Sequence, residues 1–168
     1  GQNGLMGFFD PPTPSLINGA ALTGFVADTV FTKKRGFYEG FFVTGISTRT
    51  ADASIRYTLN GTKPTPEKGI IYDGPFLIAS STTVRAMAYK EGMVSTNVDA
   101  QSYFFTGDII NQSEMNPEIT NSPTYRDELR EALKRLPVVS LSFEQNTIFG
   151  RSGIYENPED KGRGSERE

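Results

Sequence analysis

The sequence predicts a mainly β fold, an antiparallel β-sandwich followed by one C-terminal amphipathic helix and flanked by irregular segments. Three observations predict it. Strand-length runs between Phe31 and Phe105 alternate apolar and polar residues with the two-residue period of a half-buried strand. Gly, Pro, Asn and Asp interrupt those runs at roughly the 8 to 12 residue spacing of a sandwich. One stripe of helical period, Tyr125, Leu129, Ala132, Leu133 and Leu136, stands alone near the C-terminus.

The 168 residues suit one domain with flanking segments, and the pattern starts in mid-course at Gly1, as expected of a piece of something larger. Seventeen basic and 20 acidic residues leave a formal charge of -3, too balanced for a nucleic-acid surface. With no Cys and no His, the chain lacks thiol nucleophiles, thiolate or imidazole zinc sites, Ser-His-Asp triads and the commonest general base. Absent cysteine also leaves the redox compartment open. No run approaches the roughly 18 apolar residues of a membrane span. Twelve Phe and seven Tyr against no Trp point to an aromatic core and away from Trp sugar platforms.

Residues 1–30 read as a linker or the end of a preceding domain, with turn signals at Asp10-Pro11-Pro12, Thr13-Pro14 and Asn18-Gly19 and one short strand. Phe8 and Phe9 are read as packing residues. The sandwich is expected over 31–106. Phe41 and Val43 share a face, and Ile46 joins them only if Gly45 inserts a bulge. In ASIRYTLNGTKPT, Ile55, Tyr57 and Leu59 point inward and Ser54, Arg56 and Thr58 outward, before Asn60-Gly61 reverses the chain. Ile70 to Tyr72 and Phe76 to Ile78 are short edge pieces on either side of Asp73-Gly74-Pro75. Thr82 to Lys90 puts Val84, Ala86 and Ala88 inside and Arg85, Met87 and Tyr89 outside; the small alanines imply a close opposite sheet. Val98 to Phe105 is the last strand.

Residues 107–121 are expected to be a linker, with one helical turn at Asn116-Pro117-Glu118. Ser122 and Pro123 then open a helix whose Lys134 and Arg135 suit its C-terminal dipole, and whose apolar stripe should face a core. Pro137 stops it. Val138 to Phe143 reads as a strand, Ile148 to Pro158 as loop with short extended pieces, and EDKGRGSERE as a charged tail.

The stretches FYEGFFVTGISTRTADASIRYTLNGTKPT and IIYDGPFLIASSTTVRAMAYKEGMVSTNVDAQSYFF resemble the chitobiase/β-hexosaminidase C-terminal domain family. Its pattern is a strand ending in YTLDG-S-x-PT, then Y-x-GP, TTVRA-x-A, S-x-V and a final SY strand. Asn60 stands here for the usual Asp, Thr62 for Ser, and Gly45 looks like an insertion. The resemblance implies a fibronectin type III-like sandwich serving as an accessory domain of secreted or surface proteins, often ones acting on carbohydrate. GFFDPPTPSLINGAAL is similar to the closing strand of bacterial lamin-tail-like domains. Residues 122–168 are similar to the incomplete start of a CotH-like kinase domain, through Leu136-Pro137, Ser140-Leu141, Gly153 to Pro158 and Gly162-Arg163, although Ser165 replaces a usual Trp and Glu168 a usual Pro. Nucleotide- and metal-binding residues of that family would lie beyond Glu168.

The candidate ligand-binding residues are Arg56, Arg85, Met87 and Tyr89, an outward face that could stack on or hydrogen-bond to a sugar. Its plain alternative is a solvated sheet face with cross-strand pairs. Asp73, Glu91, Asp99 and Glu114 show no spacing toward an acid/base pair, so no catalytic residue is expected. Asn60-Gly61-Thr62 and Asn111-Gln112-Ser113 fit the glycosylation sequon, but the first is explained as a turn. Gly150 to Gly164 fits no phosphate-binding spacing, and Asp73 and Asp108 fit no calcium loop, so no metal and no cofactor are expected. The resulting expectation is a non-catalytic spacer module of an extracellular or cell-surface protein. Its expected partners are neighbouring domains, with polysaccharide as the alternative, and not nucleic acid; the alternative functions are a carbohydrate-binding accessory module or a fragment of a CotH-like kinase-containing protein.

Overall fold

Two layers, one five-stranded sheet and a pair of two-stranded sheets, enclose one aromatic-rich core in the computed structural model, which describes residues 7–8, 21–143, 145–151, 153, 155–156 and 158. The strands are β1 (Val30–Phe31), β2 (Gly36–Tyr38), β3 (Phe42–Thr44), β4 (Ile46–Ser47), β5 (Ser54–Thr58), β6 (Ile70–Ile71), β7 (Phe76–Ile78), β8 (Thr82–Tyr89) and β9 (Asp99–Phe105). The larger sheet runs β2-β9-β8-β5-β6; β7 pairs with β3 and β1 with β4 in the facing layer. Each of these strand pairings is antiparallel except that of β2 with β9. This is the fibronectin type III/immunoglobulin-like antiparallel sandwich.

The middle strand dictates the packing. Val84, Ala86 and Ala88 are fully buried, and their small size leaves volume for rings on either side. On one side Tyr57 stacks on Phe76 at 4.4 Å; on the other Phe42 meets Tyr103 edge-on at 5.1 Å and Tyr38 lies 4.1 Å from Phe42. Each such aromatic pair adds about 0.5–1.5 kcal/mol beyond its area burial. The Tyr103 hydroxyl, buried with its ring, donates to Lys33 O at 2.9 Å, so this phenol has a partner inside the core.

The expected bulge at Gly45 is absent. Phe42, Thr44 and Ile46 all point inward, so alternation runs through Gly45 unbroken, and Phe41 (77% exposed) and Val43 (55%) form the outer face. The inward face was disguised because Phe occurs on both parities and a Thr occupies a buried position. Gly45 instead marks where the strand changes partner, from β7 to β1: its N–H donates to Thr32 Oγ1 at 2.8 Å and its carbonyl accepts from Thr32 N at 2.9 Å. A Cβ there would lie 3.3 Å from Tyr72 Oη.

Asn60-Gly61 reverses the chain as expected, through an Asx turn: Asn60 Oδ1 accepts from Thr62 N and Thr62 Oγ1, and Gly61 takes φ 74°. Leu59, expected inside, is exposed because β5 has already ended at Thr58. The two pieces around Asp73-Gly74-Pro75 belong to different layers, β6 beside β5 and β7 beside β3, so this turn carries the chain across the sandwich.

Residues 21–30, read as linker, contribute to the core. Val26 is buried in it, Val26 N donates to Val94 O, and Val94 N donates to Gly24 O. Phe8 packs edge-on against Phe25 at 4.5 Å; Phe9 and the turn signals of residues 10–19 lie outside the described residues.

After β9 come α1 (Thr106–Ile110), α2 (Pro117–Thr120), α3 (Tyr125–Arg135) and α4 (Gln145–Phe149). Ile110 is fully buried, which seats α1 directly on the sandwich end. Asn116 caps α2 by accepting from Glu118 N at 2.9 Å, with Pro117 in the first turn. The cap of α3 is Thr124 and not Ser122, whose carbonyl accepts from Arg126 N. Contrary to expectation, α3 buries no side chain, and Tyr125 and Leu136 stay exposed. No strand forms over Val138 to Phe143, where Val139 and Leu141 point to solvent; a strand needs a partner's backbone hydrogen bonds, and among the described residues this run meets β9 only through side chains, Ser140 Oγ lying 2.6 Å from Ser102 Oγ. Ile148-Phe149, read as extended, falls within α4. Ile154, Asn157 and the tail from residue 159 lie outside the described residues.

Candidate functional site

Arg56, Arg85, Met87 and Tyr89 do share one face of the larger sheet. In the β5–β8 register Arg56 lies opposite Met87, Thr58 opposite Arg85, and Ser54 opposite Tyr89. Alternation puts them there because Ile55, Tyr57, Val84, Ala86 and Ala88 claim the core side.

The face is not an open, solvated one. The loop between β5 and β6 folds back across it, and the arginines hold it down. Arg56 donates from Nε to Pro66 O at 2.6 Å and from Nη1 to Gly69 O at 2.8 Å, while Arg85 donates from Nη1 to Gly61 O at 3.0 Å. These are charge-assisted bonds, roughly twice as strong as neutral ones. Thr58 Oγ1 adds a bond to Thr62 O at 2.6 Å. Gly69 permits the close approach: its φ is 116°, and a Cβ would lie 3.0 Å from Tyr57 O. Under this cover Met87 is only 5% exposed, which corrects the expectation that it faces solvent.

Beside the covered part a groove of about 470 Å³ remains. Arg85 and Met87 form its floor, Lys63 to Pro66 one wall and Ser95 to Val98 the other. Arg56 and Tyr89 do not line it, so the structure brings two of the four expected residues together there. The groove can accept hydrogen bonds on Asn97 and Ser95 and apolar contact on Met87 and the prolines. Its lining contains no carboxylate, whereas glycoside cleavage ordinarily uses two. Asp99 is occupied by the Thr29 hydroxyl, and Glu114 by Ser113 Oγ at 3.1 Å. Among the described residues no group of three or more His, Cys, Asp or Glu could hold a metal ion.

A second polar cluster escaped sequence reasoning. Glu39, in the turn between β2 and β3, accepts from Thr106 Oγ1 at 3.1 Å and pairs with Lys134 at 2.5 Å and Arg130 at 3.8 Å. Its carboxyl is held below the ordinary range, first by the Lys134 hydrogen bond and then by Thr106, and Lys134 is correspondingly raised by Glu39 and Glu131. Nothing in Tyr38-Glu39-Gly40 signals this, because the partners are 67 residues or more away in sequence. Two core phenols are perturbed as well: burial pushes Tyr57 and Tyr103 above the usual phenol range.

A family model described as "Fn3 associated" matches residues 45–103, from the partner switch at Gly45 through Tyr103 in β9. No curated protein and no solved structure matches the chain. The matched stretch fits a fibronectin III-like association domain and contains the whole Arg56/Arg85/Met87/Tyr89 face.

Proposed function

We propose that this chain is a non-catalytic structural or spacer module of a large secreted or cell-surface multidomain protein, of bacterial type. The observation that carries the reading is the use of Arg56 and Arg85. Their guanidiniums are turned onto carbonyls of Pro66, Gly69 and Gly61, so the best polar groups of the candidate face stabilise the fold itself. The family description supports an accessory role.

In this reading residues 31–106 form the sandwich, a chitobiase/β-hexosaminidase C-terminal-like unit, with residues 21–30 as its entry. Residues before that end a lamin-tail-like neighbour, 107–121 connect, and 122–168 begin a CotH-like kinase domain whose phosphotransfer residues lie elsewhere. Exposed Leu136, Val138, Val139 and Leu141 suit a segment that a further domain would cover. Among the described residues no helix is long and apolar enough to cross a membrane. The test is to map protease-resistant units in the mature parent polypeptide by mass spectrometry. Flanking folded units on both sides are expected; a parent with no other folded unit overturns the reading.

The groove over Arg85 and Met87 favours a second reading, a carbohydrate-binding accessory module. Pull-down with chitin and cell-wall polysaccharide decides it. Retention that is lost in Asn97→Ala would support a sugar site in the groove, and absence of retention on every polysaccharide would exclude it.

A further inference from the structure

We infer that helix α3 is attached to the sandwich by a carboxylate clamp at Glu39, which makes the joint between them releasable by acid or salt. The proposal rests on the spacer reading only for its use, since a spacer must set the angle of its neighbouring domain.

The geometry is specific to this carboxylate. Lys134 Nζ reaches Glu39 Oε1 at 2.5 Å, while Thr106 Oγ1 at 3.1 Å and Arg130 Nη1 at 3.8 Å reach Oε2, so both oxygens are engaged. Lys134 and Arg130 are one turn apart on one side of α3, the spacing at which two side chains converge on one partner. Thr106 belongs to α1 and is fully buried, so it fixes the carboxylate to the sandwich end. One side chain of the sandwich thus joins two helices.

Besides the clamp, α3 packs against α1 and α2, with Leu129 and Leu133 half-buried. It buries no side chain, and a further polar link to the larger sheet, the contact of Ser140 Oγ with Ser102 Oγ at 2.6 Å, lies beyond its last turn. Isolated exposed ion pairs contribute little, but here two hydrogen-bond donors and the longer Arg130 ion pair share one carboxylate, and no side chain of α3 is fully buried. The charged groups nearby are Arg130, Lys134 and Glu131 on α3 and Arg35, which lines one groove with Lys134; Asp108 of α1 accepts from Ser81 N instead. Protonating Glu39 removes the acceptor charge. Its folded-state value is depressed, so the clamp is complete above the ordinary Glu range near pH ~4.3 and is lost as pH falls through the lower folded value.

The full chain has no cysteine, so spin labels at Glu91→Cys and Asp127→Cys report the distance between sandwich and α3 without background. At neutral pH and low salt one narrow distance distribution is expected. Glu39→Gln, or ~1 M salt, should broaden it and speed amide exchange across Tyr125–Arg135 by about fivefold, with exchange in β8 and β9 unchanged. Lys134→Met gives the same result from the other partner. A distribution that stays narrow in both variants overturns the clamp. That failure leaves the spacer reading standing, because the latter falls only on the make-up of the parent polypeptide.

Discussion

Val84, Ala86, Ala88 and Tyr103 are sealed between two sheets, whereas α3, at the end of the same sandwich, keeps every side chain at least partly in water. Both regions are amphipathic in sequence, each with an apolar face of the right period. The difference is in the number of partners available. A strand in the sandwich borrows neighbours from residues far along the chain, but α3 packs chiefly against the short helices α1 and α2. Periodicity names the face that can be buried, and only tertiary structure supplies what buries it.

The widest gap between the two regions should appear on truncation. Tyr103→Ala, at a fully buried ring, should cost about 3–5 kcal/mol in urea unfolding, against less than ~1 kcal/mol for Leu133→Ala on α3. Similar costs at the two sites would erase the distinction. Next comes the loop cover: Arg56→Met leaves Pro66 O and Gly69 O without their donor and should cost about 2 kcal/mol, with exchange rising first in residues 60–69. If instead exchange rises evenly over the sandwich, Arg56 belongs to the core's cooperative unit and not to a local cover. Gly61→Ala, at φ 74°, should cost about 1 kcal/mol by thermal unfolding, and Asn60→Ala a similar or smaller amount.

The smallest effect is a titration. Absorbance near 295 nm should show Tyr57 and Tyr103 ionising above the ordinary phenol range. For both the folded value is raised, so their contribution is complete below the ordinary phenol value near pH ~10 and is lost as pH rises through the folded one. A single transition at the ordinary value would mean that the core admits water.

Legibility followed the same division. In β5 and β8 the inward and outward sets are chemically distinct, so alternation alone located Val84, Ala86, Ala88, Ile55 and Tyr57. Asn60-Gly61 and Asn116-Pro117 announced local hydrogen bonds that need no distant partner. Residues Phe41 to Ile46 misled because the inner face contains a Thr and the outer face a Phe. Val26 was hidden by turn-forming surroundings, and Val138 to Phe143 has strand composition without a neighbouring edge. At the candidate face the register of Arg56, Arg85, Met87 and Tyr89 was readable, but the cover was not. Whether an outward Arg meets water or a folded-back carbonyl depends on the path of the loop from Asn60 to Gly69, which no periodicity encodes.

The parallel pairing of β2 with β9, in which Gly36 to Tyr38 run beside Tyr103 to Phe105, has a mechanical consequence. Tension applied upstream of β2 and downstream of β9 draws two parallel strands in opposite directions along their length. Their hydrogen bonds then bear the load together in shear, where an antiparallel hairpin pulled from its open end would release them one at a time. A pulled chain should therefore yield at this short seam in one abrupt step, with the β5–β8–β9 ladder still intact behind it.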